Sequence, residues 1–263
     1  MKLIALLLGC LLFQTLEAAA ANPSSVRIVP VSPTPESDNV KIFWTFPKES
    51  QIVSQPVQLQ MRLDGYPLAT ISDFQRRKEV AEDSQGQSVR VIIDESPPLS
   101  IYVSVIDGLD NNNIYYSQKL AKVVPYDLSD GTHLIRAFPV RSYGESLKGS
   151  GCFIATVFYT GGFTFPIDLS APFLTYNTPQ GAIPYGKPIL LDFLLSNTEL
   201  SKDGYKVLLT LDGKIERTLT SSPPYYIYGL SRGTHTLRLQ LSDEQGNPVA
   251  GPTNDVEKEF TLY

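Results

Sequence analysis

The chain holds little that could do chemistry. Among its 263 residues there are two Cys, two Met, two His and one Trp. Two histidines far apart in sequence (His133, His235) and a lone cysteine beyond Cys10 match no zinc-ligand spacing, so no metal or other cofactor is expected. The Gly-x-Ser-x-Gly elbow of a serine hydrolase is missing, and Gly149-Ser150-Gly151 reads only as a flexible turn. A phosphate-cradling glycine loop is absent, and nothing sets two carboxylates across a cleft as glycoside hydrolysis requires. A net charge of −5 and a pI near 5.1 provide no basic field to neutralise phosphates, which argues against a nucleic-acid partner. No stretch after the first residues approaches the roughly 20 apolar residues of a membrane helix, so no integral membrane segment is expected in the mature chain.

What is present begins at the N-terminus. Met1 and Lys2, an apolar run from Leu3 to Phe13 and the small residues Ala18 to Ala21 form a secretory signal peptide over residues 1–21. The expected cut follows Ala21, with Ala18 or Ala20 as close alternatives. Leu7-Leu8-Gly9-Cys10 offers a rival lipobox, which would make the protein a lipoprotein through Cys10 after an unusually short apolar region. The first route leads to the periplasm or outside the cell, and the second would leave the protein anchored to a membrane. Processing after Ala21 leaves Cys152 as the only cysteine, so no intrachain disulfide can form. Its neighbours Phe153 and Ile154 favour burial over an intermolecular bond.

Twenty prolines, eighteen glycines and fourteen tyrosines fit many short strands separated by turns. Residues 22–38, with Pro23, Pro30, Pro33 and Pro35, read as an extended leader able to contribute an edge strand. Val40, Ile42, Trp44 and Phe46 then share one face. Val57, Leu59, Met61 and Leu63 alternate with Gln58, Gln60 and Arg62 as in a half-buried antiparallel strand, and Val89, Val91 and Ile93 repeat the pattern. The mixed charges between Phe74 and Gln87 read as a solvated loop or short surface helix. Asp107, Asp110 and Asn111 to Asn113 read as turn formers, with calcium ligation the weaker alternative. The segment Phe163 to Pro172 separates two patterned regions. It divides the mature chain into residues 22–165 and 166–263, each an expected immunoglobulin-like (fibronectin III-like) antiparallel β-sandwich.

An internal repeat supports that architecture. Leu128-Ser129-Asp130-Gly131-Thr132-His133 matches Leu230-Ser231-Arg232-Gly233-Thr234-His235 at an offset of 102 (235 minus 133), which also pairs Gly144 with Gly246 and Phe158 with Phe260. The run from Leu230 to Asn247 resembles the penultimate strand and hairpin of many bacterial immunoglobulin-like modules. More narrowly, Arg136-Ala137-Phe138-Pro139-Val140-Arg141 and Glu145-Ser146-Leu147-Lys148 resemble an uncharacterised family of bacterial exported proteins with an Arg-x-Phe-Pro-x-Arg and Glu-Ser-x-Lys signature. The resemblance implies the fold and supplies no activity.

Strand parity places His133 and His235 on the core-facing sides of equivalent strands, so a structural role is expected for both. The two repeats differ after that strand. Where the second has the plain turn Asp243-Glu244-Gln245-Gly246-Asn247, the first has Arg141, Tyr143, Glu145 and Lys148. With Arg136, these residues are the candidate binding set, expected to face a glycan or an envelope protein through stacking and charge-assisted hydrogen bonds. Leu134, Phe138 and Val140 share the parity of Arg136, which predicts that this outer face is covered. In the alternative reading the arginines only pair with nearby carboxylates under that cover. The sequence therefore points to an exported, non-enzymatic binding or structural module of the bacterial cell envelope. An accessory part of a carbohydrate-active system and a secreted adhesin-like factor are the alternatives.

Overall fold

The computed structural model describes residues 26–36, 38–104, 106–108, 117–162 and 165–263. The signal peptide, the lipobox and the residues 110–113 of the Asp/Asn cluster lie outside this set. In chain order the elements are β1 Arg27–Pro30, β2 Lys41–Phe46, β3 Gln51–Val53, β4 Gln58–Asp64, α1 Arg76–Glu79, β5 Ser88–Ile93, β6 Leu99–Ile101, β7 Ile106–Gly108 and β8 Ser117–Val123. They continue with β9 Gly131–Val140, β10 Ile154–Thr160, β11 Phe173–Thr178, β12 Gly181–Ile183, β13 Ile189–Ser196, β14 Lys206–Leu211, β15 Ile215–Leu219, β16 Tyr225–Tyr228, β17 Gly233–Ser242 and β18 Asp255–Leu262.

These strands make two sandwiches. The sheets β2-β4-β8-β7 and β3-β10-β9-β5-β6 enclose a core that includes Ile42, Leu59, Met61, Leu63, Val91, Ile135 and Phe158. The sheets β1-β16-β13-β11 and β12-β18-β17-β14-β15 enclose another, built on Leu191, Phe193, Leu209, Leu239 and Phe260. Alternation explains why both halves fold this way: in β4 the buried and exposed residues alternate without exception through Leu63, so one face supplies the core and the other meets water. Each buried Leu or Ile contributes about 1.5–3 kcal/mol relative to an exposed one. Most pairings are antiparallel, while β3 with β10 and β12 with β18 run parallel and close one end of each five-stranded sheet.

The expected leader strand is present, with a partner that its place in sequence does not indicate. β1 precedes the first sandwich, yet it pairs antiparallel with β16 of the second, Ile28 opposite Ile227. Val26 is buried in the second core and Ile28 packs against it.

The repeated strands β9 and β17 show how context changes one pattern. β17 keeps the alternation of a half-buried strand from His235 to Gln240, whereas nearly every residue of β9 is buried. The outer face of β9 is covered. Phe138 and Val140 pack with Leu194 of the second sandwich, and Leu134 packs with Ile167 and Leu169 of the connecting segment.

Candidate functional site at the seam between the sandwiches

Residues 139–148 hold the candidate binding set apart from Arg136, which lies in β9, and their backbone is ordinary. Gly144 N donates to Arg141 O at 2.8 Å, Arg141 N to Glu145 O at 2.9 Å and Leu147 N to Pro139 O at 3.0 Å. The second repeat makes the same three bonds from Gly246, Asp243 and Val249. Gly144 and Gly246 both sit at positive φ, 84° and 87°, where a side chain would be strained. The two turns therefore share one conformation. They differ in surroundings, because the first is enclosed by the second sandwich and the leader.

That enclosure changes the role of the candidate residues. Arg136, Tyr143 and Glu145 are 1%, 3% and 2% exposed, so they form no open recognition patch. Each of these side chains bonds to a partner within the chain, although the Nε atoms of Arg136 and Arg141 are buried without one. Glu145 accepts from Thr34 N at 2.9 Å and from Thr34 Oγ1 at 2.6 Å, and it pairs with Arg76. Tyr143 Oη lies 2.9 Å from Thr34 Oγ1, and its ring packs with Val80, Leu190 and Tyr226. Arg141 donates to Pro35 O at 2.8 Å, beside Glu36. Arg136 donates to Asp94 O and reaches Glu95 at 3.2 Å, while Glu95 is also bound by Lys258 of the second sandwich at 2.9 Å. Of the two readings given above, the geometry favours covered arginines paired with nearby groups.

Lys148 completes the seam. Its ammonium lies 3.0 Å from Asp192 Oδ1 and donates to Ser222 O at 2.8 Å, both in the second sandwich. Asp192 is fully buried and also accepts from Ser146 N, Ser146 Oγ and Asn177 Nδ2 at 3.1, 2.6 and 2.7 Å. A buried carboxylate is costly unless it is paired and hydrogen-bonded, and here both conditions hold.

The charge run also needs correction. It does form a short helix, but Arg76 at its start is only 4% exposed. Its guanidinium donates to Glu145, Ser32 O, Thr34 Oγ1 and Tyr226 Oη. Burial opposes the charged form of Arg76, and the Glu145 carboxylate outweighs it and holds the group more basic than usual. Burial raises the Tyr226 hydroxyl to about 12, assisted by its bond to Glu79. Sequence reading missed Arg76, Asp192 and Thr34. Only Asp192 carries a local signal, a lone acid inside the apolar run Ile189-Leu190-Leu191-Asp192-Phe193-Leu194-Leu195.

The histidines occupy twin sites, one in each sandwich. His133 Nδ1 meets Asp94 Oδ2 and Nε2 meets Ser129 O, each at 2.8 Å, with the ring against Phe158. His235 repeats the arrangement with Asp212 Oδ2 at 2.8 Å, Ser231 O at 3.0 Å and Phe260. Both aspartates sit at positive φ and accept from the amide that follows the histidine, Leu134 N and Thr236 N, at 2.9 Å. Cys152 is fully buried, with its thiol aimed at Val40 O and pushed up to about 11, mainly by burial. Among the described residues no group of His, Cys, Asp and Glu is placed to hold a metal ion.

No protein-family model matches the chain, and no curated protein does. Solved structures do. The fibronectin(III)-like modules of Clostridium thermocellum CbhA align over 84% of this chain and 93% of theirs, at 10% identity and a TM-score of 0.28. The FN1-FN3 domains of chicken CNTN1 align over 88% of this chain and 69% of theirs, at 10% identity and a TM-score of 0.22. SGBP-B of the Bacteroides ovatus mixed-linkage glucan utilization locus, solved with a mixed-linkage heptasaccharide, aligns over 90% of this chain and 47% of its own, at 16% identity and a TM-score of 0.18. These superpositions are loose. The fold assignment stands on the strand order and the two cores.

Beside the seam a cleft of about 340 Å³ opens between the sandwiches. Glu82, Asp83 and Ser142 line it from one side, and Gln180, Pro188 and Tyr263 from the other. Tyr263 is 59% exposed, so this cleft presents polar groups and an aromatic ring that the seam residues do not.

Proposed function

We propose that the protein is an exported, non-enzymatic module of the bacterial cell envelope, of the family carrying the signature in residues 136–148. It works by holding two sandwiches in one fixed arrangement and presenting the cleft between them to an envelope protein or glycan. The observation that carries this reading is the use made of the signature residues. Arg136, Glu145, Ser146 and Lys148 each bond to another element of the chain, and the bonds of Ser146 and Lys148 cross to the second sandwich. Charged groups tied down in this way position surfaces and are poorly placed to move protons or attack a substrate.

Small-angle scattering of the mature chain beside a Glu145→Ala/Lys148→Ala variant tests the fixed arrangement. The wild type should scatter as one rigid particle and the variant as a more extended, flexible one. A wild type already as flexible as the variant contradicts the reading. Pull-down from envelope extracts with wild type and an Asp83→Lys/Gln180→Lys variant tests the cleft, and equal recovery of partners would remove it as the binding face.

A further inference from the structure

Strand for strand the sandwiches correspond, except at one edge. In the first, the four-stranded sheet ends with β7, antiparallel to β8 and supplied by the local chain between β6 and β8. The matching interval in the second, between β15 and β16, is only residues 220–224 and includes Ser221-Ser222-Pro223-Pro224. Two adjacent prolines offer no amide hydrogens for a ladder, and so short a link has no room for a strand. The second sandwich therefore has no edge strand of its own beside β16. β1 fills that place in the same antiparallel sense.

We infer that the β16 edge is a strand-acceptor site, specific for an extended peptide with apolar residues at alternate positions, and that residues Val26–Val31 of the same chain are its occupant. The chemistry of the donor matches the site. Val26 and Ile28 point into the second core, while Arg27 faces outward over the Tyr228 ring at 5.0 Å. Val31 N donates to Pro224 O at 2.9 Å, so the proline link that cannot supply a strand accepts a bond from one. The next residues fix the donor to its own chain. Ser32 O and Thr34 are bound by Arg76, Pro35 O by Arg141, and Glu36 Oε1 accepts from Lys148 N at 3.1 Å. Unfilled, β16 would leave a naked edge beside an opened core, a template for pairing with other chains. The second sandwich is then complete only when the leader is free to lie along β16. This inference rests on the strand pairing and is independent of what the cleft binds.

Two measurements on the full mature chain test it. An Arg27→Cys/Tyr228→Cys variant, oxidised mildly, should become a disulfide-linked monomer. A disulfide-linked dimer would mean that the donor comes from a second copy, and no cross-link would mean that the strand does not lie there in solution; either result overturns the inference. A Val26→Asp/Ile28→Asp variant cannot bury its own strand and should bind a labelled peptide of residues 26–36 at least about tenfold more tightly than the wild type does, whose site is filled. Equal or absent binding to both proteins, in a variant that remains folded, overturns the acceptor site. If that variant does not fold, the cross-linking result decides.

Discussion

Lys148 and Asp192 meet across the seam at 3.0 Å, joining a turn of the first sandwich to a fully buried position in the second. Neither sandwich could bury its partner alone, since Asp192 would be an uncompensated charge in an apolar strand. Lys148→Met should therefore destabilise the protein by about 2–4 kcal/mol, somewhat below the usual cost of orphaning a buried charge because Lys148 keeps some water contact. Adding Asp192→Asn should return much of that loss. Denaturant titration of the two single variants and the double variant measures the coupling, and additive losses would show that the pair is not one unit.

His133 predicts a pH dependence. Its bond to Asp94 raises its pKa above the ordinary 6.5, outweighing burial, with Ser129 O assisting. Both ring nitrogens face acceptors, which suits the doubly protonated ring. A group whose folded-state pKa is raised contributes stability that is full below its unfolded value and is lost as pH rises through the folded one. Wild type should thus lose stability relative to His133→Asn between mildly acidic and alkaline pH. A constant difference between the two across that range would count against this assignment.

The twin aspartates predict matched effects. Asp94→Ala and Asp212→Ala each remove a bond to the histidine and one to a backbone amide, at a positive φ that Ala tolerates poorly. Each should cost about 1–3 kcal/mol, and Asn at the same position should cost less. Thermal melts of all four variants check this, and an Asn variant as unstable as the Ala variant would contradict it.

Cys152 should react slowly with thiol reagents in the native state and quickly in denaturant. Its burial and its raised pKa both remove the thiolate nucleophile. Time-resolved labelling measures this, and rapid native labelling would show an accessible thiol.

Local pattern carried much of the fold. The alternation in Val57 to Leu63 predicted β4 because a strand has two faces and water covers one of them, and the repeat from Leu128 and Leu230 predicted two strands with the same turn. The side of the strand on which His133 and His235 lie followed from parity. The burial of Leu134, Phe138 and Val140 was also legible, since an apolar residue on the outward parity must find cover.

What covers them was decided only in three dimensions. Arg136 and Arg238 occupy equivalent positions, yet the first is 1% exposed and the second pairs with Asp255 at the surface. No local rule separates them. The difference is the second sandwich and the connecting segment lying over β9, and with them the burial of Tyr143 and Glu145 and the bonds of Arg141 and Lys148 to neighbouring segments. The leader shows the same division: its prolines and alternating apolar residues specify an edge strand, but a four-residue strand has too little pattern to name its partner. The partner was fixed by which edge lacked a strand, a property of the folded second sandwich that residues 26–31 do not contain.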